Sequence, residues 1–301
     1  IMEFYSNGKL FILGEYYVLE GAKVFALPTK FGQSLDVFPI KSPVLSWKSY
    51  DADGLVWYND ELLINDILSN NQTSDDKIRN TLIDILHQAD LMNPNVLRNG
   101  GFVLETQLTF PRNWGLGTSS TLINNIAQWF QIDAFELLQR SFGGSGYDIA
   151  CAQNNVPVTY QVVNNNPIVK QVTFNPTFKD CIYFVYLNQK RDSKDAIANF
   201  RKKQKNLTNE VSEVSKMTDE LLKIQTIETF ITFFKRYEQN LSSILETPTI
   251  QEQLFPDFNG LVKSLGGWGG DFVMVASKEN PTNYFKAKGF EIIIPYREMI
   301  L

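Results

Sequence analysis

The stretch that decides the fold is Gly101-Phe102-Val103-Leu104-Glu105-Thr106-Gln107-Leu108-Thr109-Phe110-Pro111-Arg112-Asn113-Trp114-Gly115-Leu116-Gly117-Thr118-Ser119-Ser120. Its first half sets Phe102, Leu104, Thr106, Leu108 and Phe110 against Val103, Glu105, Gln107 and Thr109, an alternation that predicts a strand. Its second half is a glycine-rich turn. Beyond it, Leu122, Ile123, Ile126, Ala127 and Phe130 recur at helical spacing. A strand therefore feeds a helix through a turn that carries two glycines and three hydroxyls. A helix N-terminus presents unpaired N–H groups and the positive end of its dipole, and glycine lets the backbone close on an oxygen, so the turn suits a phosphate. It equally suits a plain N-cap, because Ser and Thr are favoured there. It is not a Walker loop, since G-x-x-x-x-G-K-[ST] is absent, and it lacks the third glycine of a dinucleotide fingerprint.

Two further glycine clusters lie downstream. Gly143-Gly144-Ser145-Gly146-Tyr147-Asp148 ends on an acid at the start of an apolar helix. A carboxylate there can orient or deprotonate a hydroxyl, or can simply cap the helix. Gly266-Gly267-Trp268-Gly269-Gly270-Asp271 predicts close backbone approach to a ligand or to another loop, or a tight helix-to-strand connection, with Trp268 free to pack on a base or on a neighbouring loop.

Around these clusters the chain predicts mixed α and β structure. Strands are expected at Lys9–Leu13, Val24–Leu27, Val44–Trp47, Leu55–Tyr58, Val158–Val163, Cys181–Leu187, Phe272–Ala276 and Phe290–Pro295. Asp51-Ala52-Asp53-Gly54 and Asn164-Asn165-Asn166-Pro167 read as turns. Helices are expected at Asp75–Leu91, Asp133–Ser141, Ser193–Lys205, Thr208–Ile224, Ile227–Leu245, Phe258–Leu265 and Thr282–Lys288. A boundary near residue 170 gives an α+β domain over 1–170 and a second over 171–301.

Composition narrows the function. The formal charge of −5 comes without a long basic run, so nucleic acid has no footprint, and Arg201-Lys202-Lys203-Gln204-Lys205 reads as a solvated helix face. One histidine, His87, excludes a multi-histidine zinc site and argues against a Ser–His–Asp hydrolase. Cys151 and Cys181 make no disulfide framework, as in a reducing compartment. No apolar run approaches the roughly 20 residues of a membrane span, and Ile1–Tyr5 lacks a secretory pattern, so a cytoplasmic location is expected without membrane or nucleic-acid partners.

Taken together, the three loops resemble those of the GHMP kinases, the superfamily of galactokinase, homoserine kinase, mevalonate kinase and phosphomevalonate kinase. Asn7-Gly8-Lys9-Leu10-Phe11-Ile12-Leu13-Gly14-Glu15-Tyr16 resembles the first family motif. Gly115–Ser120 is similar to the GLGSSAA loop, Ser145-Gly146-Tyr147-Asp148 to the SGxD segment, and Gly266–Asp271 to the C-terminal glycine-rich motif. The resemblance spans nearly the whole chain, and its motifs stand in the family's order. It implies a two-domain α+β fold whose N-terminal, ATP-binding domain contains a left-handed βαβ crossover and whose C-terminal domain is ferredoxin-like.

Carried over position by position, Asp148 is the expected acid/base or orienting group, with Lys9 beside it attending the transferred charge. Gly115, Leu116, Gly117, Thr118, Ser119 and Ser120 would hold ATP, with Ser119 facing Mg²⁺. Glu15, Tyr16, Ser145, Gly146, Lys190, Ser193 and Gly267 would meet the substrate. The implied partners are small molecules, and the implied assembly is a monomer or homodimer. Two departures stand out. The mevalonate kinase branch has a metal-binding Glu eleven residues before the aspartate; here that position is Leu137, with Glu136 one step off. Trp268 replaces a small residue and is expected to narrow the nucleotide site. Thr121 also replaces an Ala, with little expected consequence.

Gly14-Glu15-Tyr16-Tyr17-Val18-Leu19-Glu20-Gly21 is similar to the GEYAVLEG stretch of phosphomevalonate kinases. The expected reaction is transfer of the ATP γ-phosphoryl group to mevalonate or phosphomevalonate, as in isoprenoid precursor synthesis. A phosphorylated acceptor would call on extra cations, for which Arg112, Lys190, Arg191 and Lys194 are candidates. The alternatives are a kinase for a different small alcohol and a non-catalytic ligand-binding or regulatory protein of the same fold.

Overall fold

A computed structural model describes residues 1–189, 193–203, 206–268 and 270–301, without the side chains of residues 193, 194 and 196. The candidate cations Lys190 and Arg191 fall outside the described residues, as do the side chains of Ser193 and Lys194.

The contacts divide the chain into two compact units made of interleaved stretches. The first comprises Ile1–Gly8, Phe31–Arg112 and Leu116–Gln153, and the second Lys9–Lys30, Asn113–Gly115 and Asn154–Leu301. Two long strands, β1 (Met2–Leu13) and β2 (Val24–Ile40), run from one unit into the other and pair together. A cut near residue 170 divides the chain differently. It falls at the end of the last strand of the larger sheet, before the smaller sheet begins.

In the first unit the sheet order is β4-β3-β5-β2, with β3 at Val44–Tyr50, β4 at Val56–Leu63 and β5 at Gly101–Leu108. β3 and β4 form the hairpin expected around Asp51–Gly54. β3 pairs in parallel with β5, so the chain between them crosses over through α1 (Ile64–Leu68) and α2 (Lys77–Met92). The core lies between Leu35, Val37, Leu45, Trp47 and Leu104 of the sheet and Leu82, Leu86, Ile123, Ile126 and Leu137 of the helices α2, α3 (Thr118–Phe130) and α4 (Ala134–Arg140). The expected helical stripe on α3 is present, and Thr121, Asn124 and Asn125 are buried with it.

In the second unit the first part of β2 pairs with β6 (Val158–Val163), which forms a hairpin with β7 (Asn166–Gln171). Asn164 and Asn165 both hold positive φ, the conformation a two-residue hairpin loop demands. The smaller sheet has the order β11-β8-β10-β9, with every neighbouring pair antiparallel. Its strands are β8 (Ile182–Tyr186), β9 (Leu261–Ser264), β10 (Phe272–Ala276) and β11 (Ile293–Pro295). Between β8 and β9 come α6 (Ser193–Lys203), α7 (Thr208–Leu221), α8 (Ile227–Leu245) and α9 (Ile250–Leu254), and between β10 and β11 comes α10 (Thr282–Ala287). This is the β-α-β-β-α-β order of a ferredoxin-like domain, elaborated by extra helices.

The helix expected over Phe258–Leu265 is not formed; β9 occupies its centre. All four residues of β9 are buried, including Lys263, and the strand completes its ladder against Val273–Ala276 of β10. The short run Leu261-Val262-Lys263-Ser264-Leu265 has no period that separates a buried strand from a helix turn, so pairing decided it. Among the described residues, no helix is long and apolar enough to cross a membrane.

Candidate active site

The Gly115–Ser120 turn sits where its residues predict, between β5 and the start of α3. Gly117 occupies the N-cap position of α3 in a left-handed conformation, and no side chain caps the helix. The hydroxyls of the first turn then divide. Ser120 Oγ bends back to the Gly117 carbonyl at 3.0 Å and Thr121 Oγ1 donates to Gln33 Oε1 at 2.7 Å, whereas Ser119 is exposed. The bland reading of the turn as a Ser/Thr N-cap is therefore not what forms. The helix start keeps its N–H groups uncapped by side chains, with one hydroxyl open to solvent beside them.

Gly115 is required by a neighbour. Its φ is +71°, and a Cβ there would fall 2.6 Å from the carboxylate of Asp271. The first glycine of the turn thus lies against the end of the Gly266–Asp271 cluster. The tight connection between β9 and β10 and the close approach to another loop, read as alternatives from the sequence, coexist.

Asp148 is the second residue of α5 (Tyr147–Ala152), half-buried in its first turn. The N-cap of α5 is Gly146 at φ +93°, so Asp148 is not the cap. Ser145, half-buried, and Gly146, buried, form the entry to that helix. Lys9 is a half-buried residue of β1. Gly267 is buried next to Trp268. Glu136 is exposed on α4 and accepts hydrogen bonds from Arg140, while Leu137 is fully buried, so neither offers the metal ligand of the mevalonate kinase branch. Arg112 lies over the Trp57 ring at 4.4 Å, and its Nε donates to Asp51 Oδ2 at 3.1 Å.

The Gly14-Glu15-Tyr16 turn differs from expectation. Glu15 is buried, and both its oxygens are engaged: Oε1 accepts from Lys263 Nζ at 2.7 Å and Oε2 from the Tyr237 hydroxyl at 3.1 Å. Tyr237 in turn accepts from the Gly14 N–H at 3.2 Å. Glu15 is thus a structural carboxylate, not a side chain open to substrate. Lys263 is fully buried; its ammonium also donates to the Ser264 carbonyl and stands 3.5 Å from Glu238 Oε1. Burial raises the Glu238 carboxyl to about 7 in spite of that ammonium, and it pushes the Tyr237 hydroxyl well up.

Tyr16 is also withdrawn into the protein. Its ring stacks on Phe200 of α6 at 5.0 Å, and its hydroxyl accepts from the Trp268 N–H at 3.1 Å. The Trp268 indole donates to the Pro248 carbonyl at 3.3 Å. This answers the question the sequence left open: Trp268 packs on neighbouring protein. Lys263 and Glu238 were not singled out from the sequence. The available signal was a lone lysine inside an apolar run, which on burial demands a carboxylate partner.

No protein-family model matches the sequence, and no curated protein is similar to it by sequence. Solved structures do match. Phosphomevalonate kinase of Streptococcus pneumoniae in complex with phosphomevalonate and AMPPNP superposes with a TM-score of 0.72 at 16% identity, covering 97% of this chain and 98% of that one. Methanococcus jannaschii mevalonate kinase gives 0.69 at 15% identity, covering 96% and 94%. Lactococcus lactis galactokinase complexed with galactose gives 0.69 at 13%, covering 95% and 87%. The fold is that of the GHMP kinases.

Proposed function

We propose that this chain is an ATP-dependent small-molecule kinase that phosphorylates mevalonate or phosphomevalonate. The observation that carries the reading is the start of α3. Gly117 rather than a side chain holds the cap position, the Ser120 and Thr121 hydroxyls are engaged within the protein, and Ser119 stays exposed. That is a cradle for a polyphosphate. Asp148 lies in the first turn of α5, whose N-cap is Gly146, at the position that the SGxD resemblance gives to the functional carboxylate. The similarity of the fold to kinases of mevalonate and phosphomevalonate supports the acceptor class. The 1–170 and 171–301 halves are proposed as the nucleotide-binding and C-terminal domains of this kinase, acting in the cytoplasm as a monomer or homodimer.

In this reading Gly115, Leu116, Gly117, Thr118, Ser119 and Ser120 hold the ATP phosphates through backbone N–H groups. Asp148 orients the acceptor oxygen and takes its proton, and Lys9 places positive charge at the moving phosphoryl group. Ser145, Gly146, Gly267, Lys190 and Ser193 are proposed acceptor contacts. Among the described residues no group of three or more acidic, histidine or cysteine side chains stands together. A magnesium ion fits at the exposed Ser119 hydroxyl only in company with the phosphates, where it would neutralise their charge.

The test is ATP consumption by the purified protein against mevalonate, phosphomevalonate and a panel of sugars and amino acids. Turnover with one of the first two supports the proposal, and turnover with a sugar alone replaces the acceptor. The absence of turnover with any of them favours a non-catalytic ligand-binding protein. With the acceptor in hand, Asp148→Asn should lower turnover by about two to four decades while the melting temperature holds.

A further inference from the structure

A carboxylate stands against the first residue of the proposed phosphate turn. A Cβ built on Gly115 would fall 2.6 Å from Asp271 Cγ and Oδ2 and 2.8 Å from Oδ1. The acidic group therefore lies within about 4 Å of the Gly115 backbone. Both sides of this approach are fixed. Asp271 holds a left-handed backbone at φ 55°, its N–H donates to the Gln189 carbonyl at 2.8 Å, and its own carbonyl accepts from the Leu187 N–H at 2.9 Å. Opposite it, the Tyr186 hydroxyl donates to the Asn113 carbonyl at 3.1 Å, and the Trp114 ring packs edge-to-face on Phe272 at 5.3 Å. The ends of β8 and β10 thus anchor both the residues entering the turn and the carboxylate beside them. The Tyr186 hydroxyl registers that charge: burial raises it first, and Asp271 raises it further.

A negative charge fixed beside a phosphate turn opposes the very anion the turn is suited to hold, unless a cation comes with that anion. We infer that Asp271 is a specificity-determining residue that makes nucleotide binding depend on magnesium: its carboxylate disfavours the bare polyphosphate and favours the metal complex. The inference rests on the proposed nucleotide site. Magnesium is commonly held by one or two carboxylates together with substrate phosphates. The carboxylate of the mevalonate kinase branch is missing here, since Leu137 is buried and Glu136 is bonded to Arg140. Asp271 brings a carboxylate to the turn from the third glycine cluster instead. At separations of several ångströms near a surface, one unit charge changes binding by about an order of magnitude or more.

Asp271→Asn removes the charge, keeps the size and one acceptor oxygen, and tolerates the left-handed backbone. The dissociation constant of AMPPNP is measured by calorimetry for both proteins, once with excess magnesium and once with EDTA. Without metal the variant should bind about three- to thirtyfold more tightly than the wild type, and with magnesium about three- to tenfold more weakly. The gain that magnesium brings therefore shrinks by about tenfold or more. Equal magnesium gains in the two proteins overturn the inference. That result is expected if Asp271 only shapes the turn, when the variant binds as the wild type does. It is also expected if Asp271 only repels, when the variant binds more tightly by one factor under both conditions. Melting temperatures report whether the fold persists; should Asp271→Asn fold poorly, Asp271→Gly suits a φ of 55° and carries the same comparison. If the wild type binds AMPPNP under neither condition, the nucleotide reading and this inference fall together; if it binds and the magnesium gains are equal, only the inference falls.

Discussion

Two buried polar clusters, one in each unit, solve the same problem in opposite ways. On α3 the cluster is neutral. Thr121 Oγ1 donates to Gln33 Oε1 at 2.7 Å, Asn125 Nδ2 to the Gln33 carbonyl at 2.9 Å, Ser6 Oγ to Asn125 Oδ1 at 2.7 Å, Asn124 Nδ2 to Ser6 Oγ at 2.8 Å, and Gln153 Nε2 to Asn124 Oδ1 at 3.0 Å. Beneath the Gly14–Tyr16 turn the cluster is ionic: one buried ammonium lies between the carboxyl groups of Glu15 and Glu238. A neutral network spreads its dependence over many modest bonds, each worth about 0.5–1.5 kcal/mol net. An ionic one concentrates it, because removing one charge strands another away from water. The first is suited to fixing how a helix sits on a sheet, including the tie from α3 to Gln153 at the end of the Asp148 helix. The second is suited to clamping a single turn.

The largest expected effect breaks the ionic side. Lys263→Met keeps most of the length of the side chain and leaves Glu15 and Glu238 buried without their cation. It should cost about 3–5 kcal/mol in chemical denaturation. A loss below about 1 kcal/mol would mean that the charges are no more concentrated in effect than the neutral bonds.

Next comes the neutral side. Asn125→Leu removes the acceptor of Ser6 and the donor to the Gln33 carbonyl, and it should cost about 1–3 kcal/mol by the same measurement. A loss equal to that of Lys263→Met would erase the contrast between the clusters.

The clusters should also differ in pH response, because only one can titrate. Glu238 titrates near 7 in the folded chain, against about 4.3 for an ordinary glutamate. The folded state therefore holds this proton more tightly than the unfolded one. The stabilisation this gives is complete below about pH 4.3 and is lost as pH rises through 7. Glu15 and Lys263 face the group, the ammonium opposing the rise and the carboxylate adding to it. Glu238→Gln cannot lose a proton, so its melting temperature should gain on the wild type by a few degrees between pH 5 and pH 8. A constant gap across that range would show that Glu238 stays ionised throughout.

The smallest effect sharpens the comparison at its edge. Gln153 is exposed, and Gln153→Ala removes one bond to Asn124 that water can replace. The expected loss is below about 1 kcal/mol. A larger loss would show that the neutral network carries its energy at one point after all.

How much of this could be read in advance depends on how local each cause is. The turn between β5 and α3 was legible because everything that makes it lies within twenty consecutive residues: an alternating strand, two glycines, a run of hydroxyls and a helical stripe. The turn at Asn164-Asn165 was legible for the same reason, whereas the strand Asn166–Gln171 that follows it was not expected. Lys263 was not. Its run of five residues looks alike as helix turn or strand, and its charge is explained only by Glu15, 248 positions away in the chain. Thr121, noted as a harmless replacement of an alanine, is buried and bonded to Gln33, 88 positions distant. Glu15 was assigned to substrate because its motif is local, while its partners Lys263 and Tyr237 are not.

The sequence by itself determined most of the helices and the glycine-rich turn between β5 and α3, because backbone conformation at glycine, hydroxyl placement at a helix start and hydrophobic period are properties of neighbours along the chain. The tertiary structure alone decided which polar groups serve each other. It made a strand of β9 by giving it β10 to pair with, turned Glu15 from a ligand group into the counter-ion of a buried lysine, and placed the Asp271 carboxylate where a Cβ at Gly115 would displace it. Burial is the physical reason. A charge or hydroxyl withdrawn from water must find its partner wherever the fold brings one, and that partner's distance along the chain has no bearing on its strength.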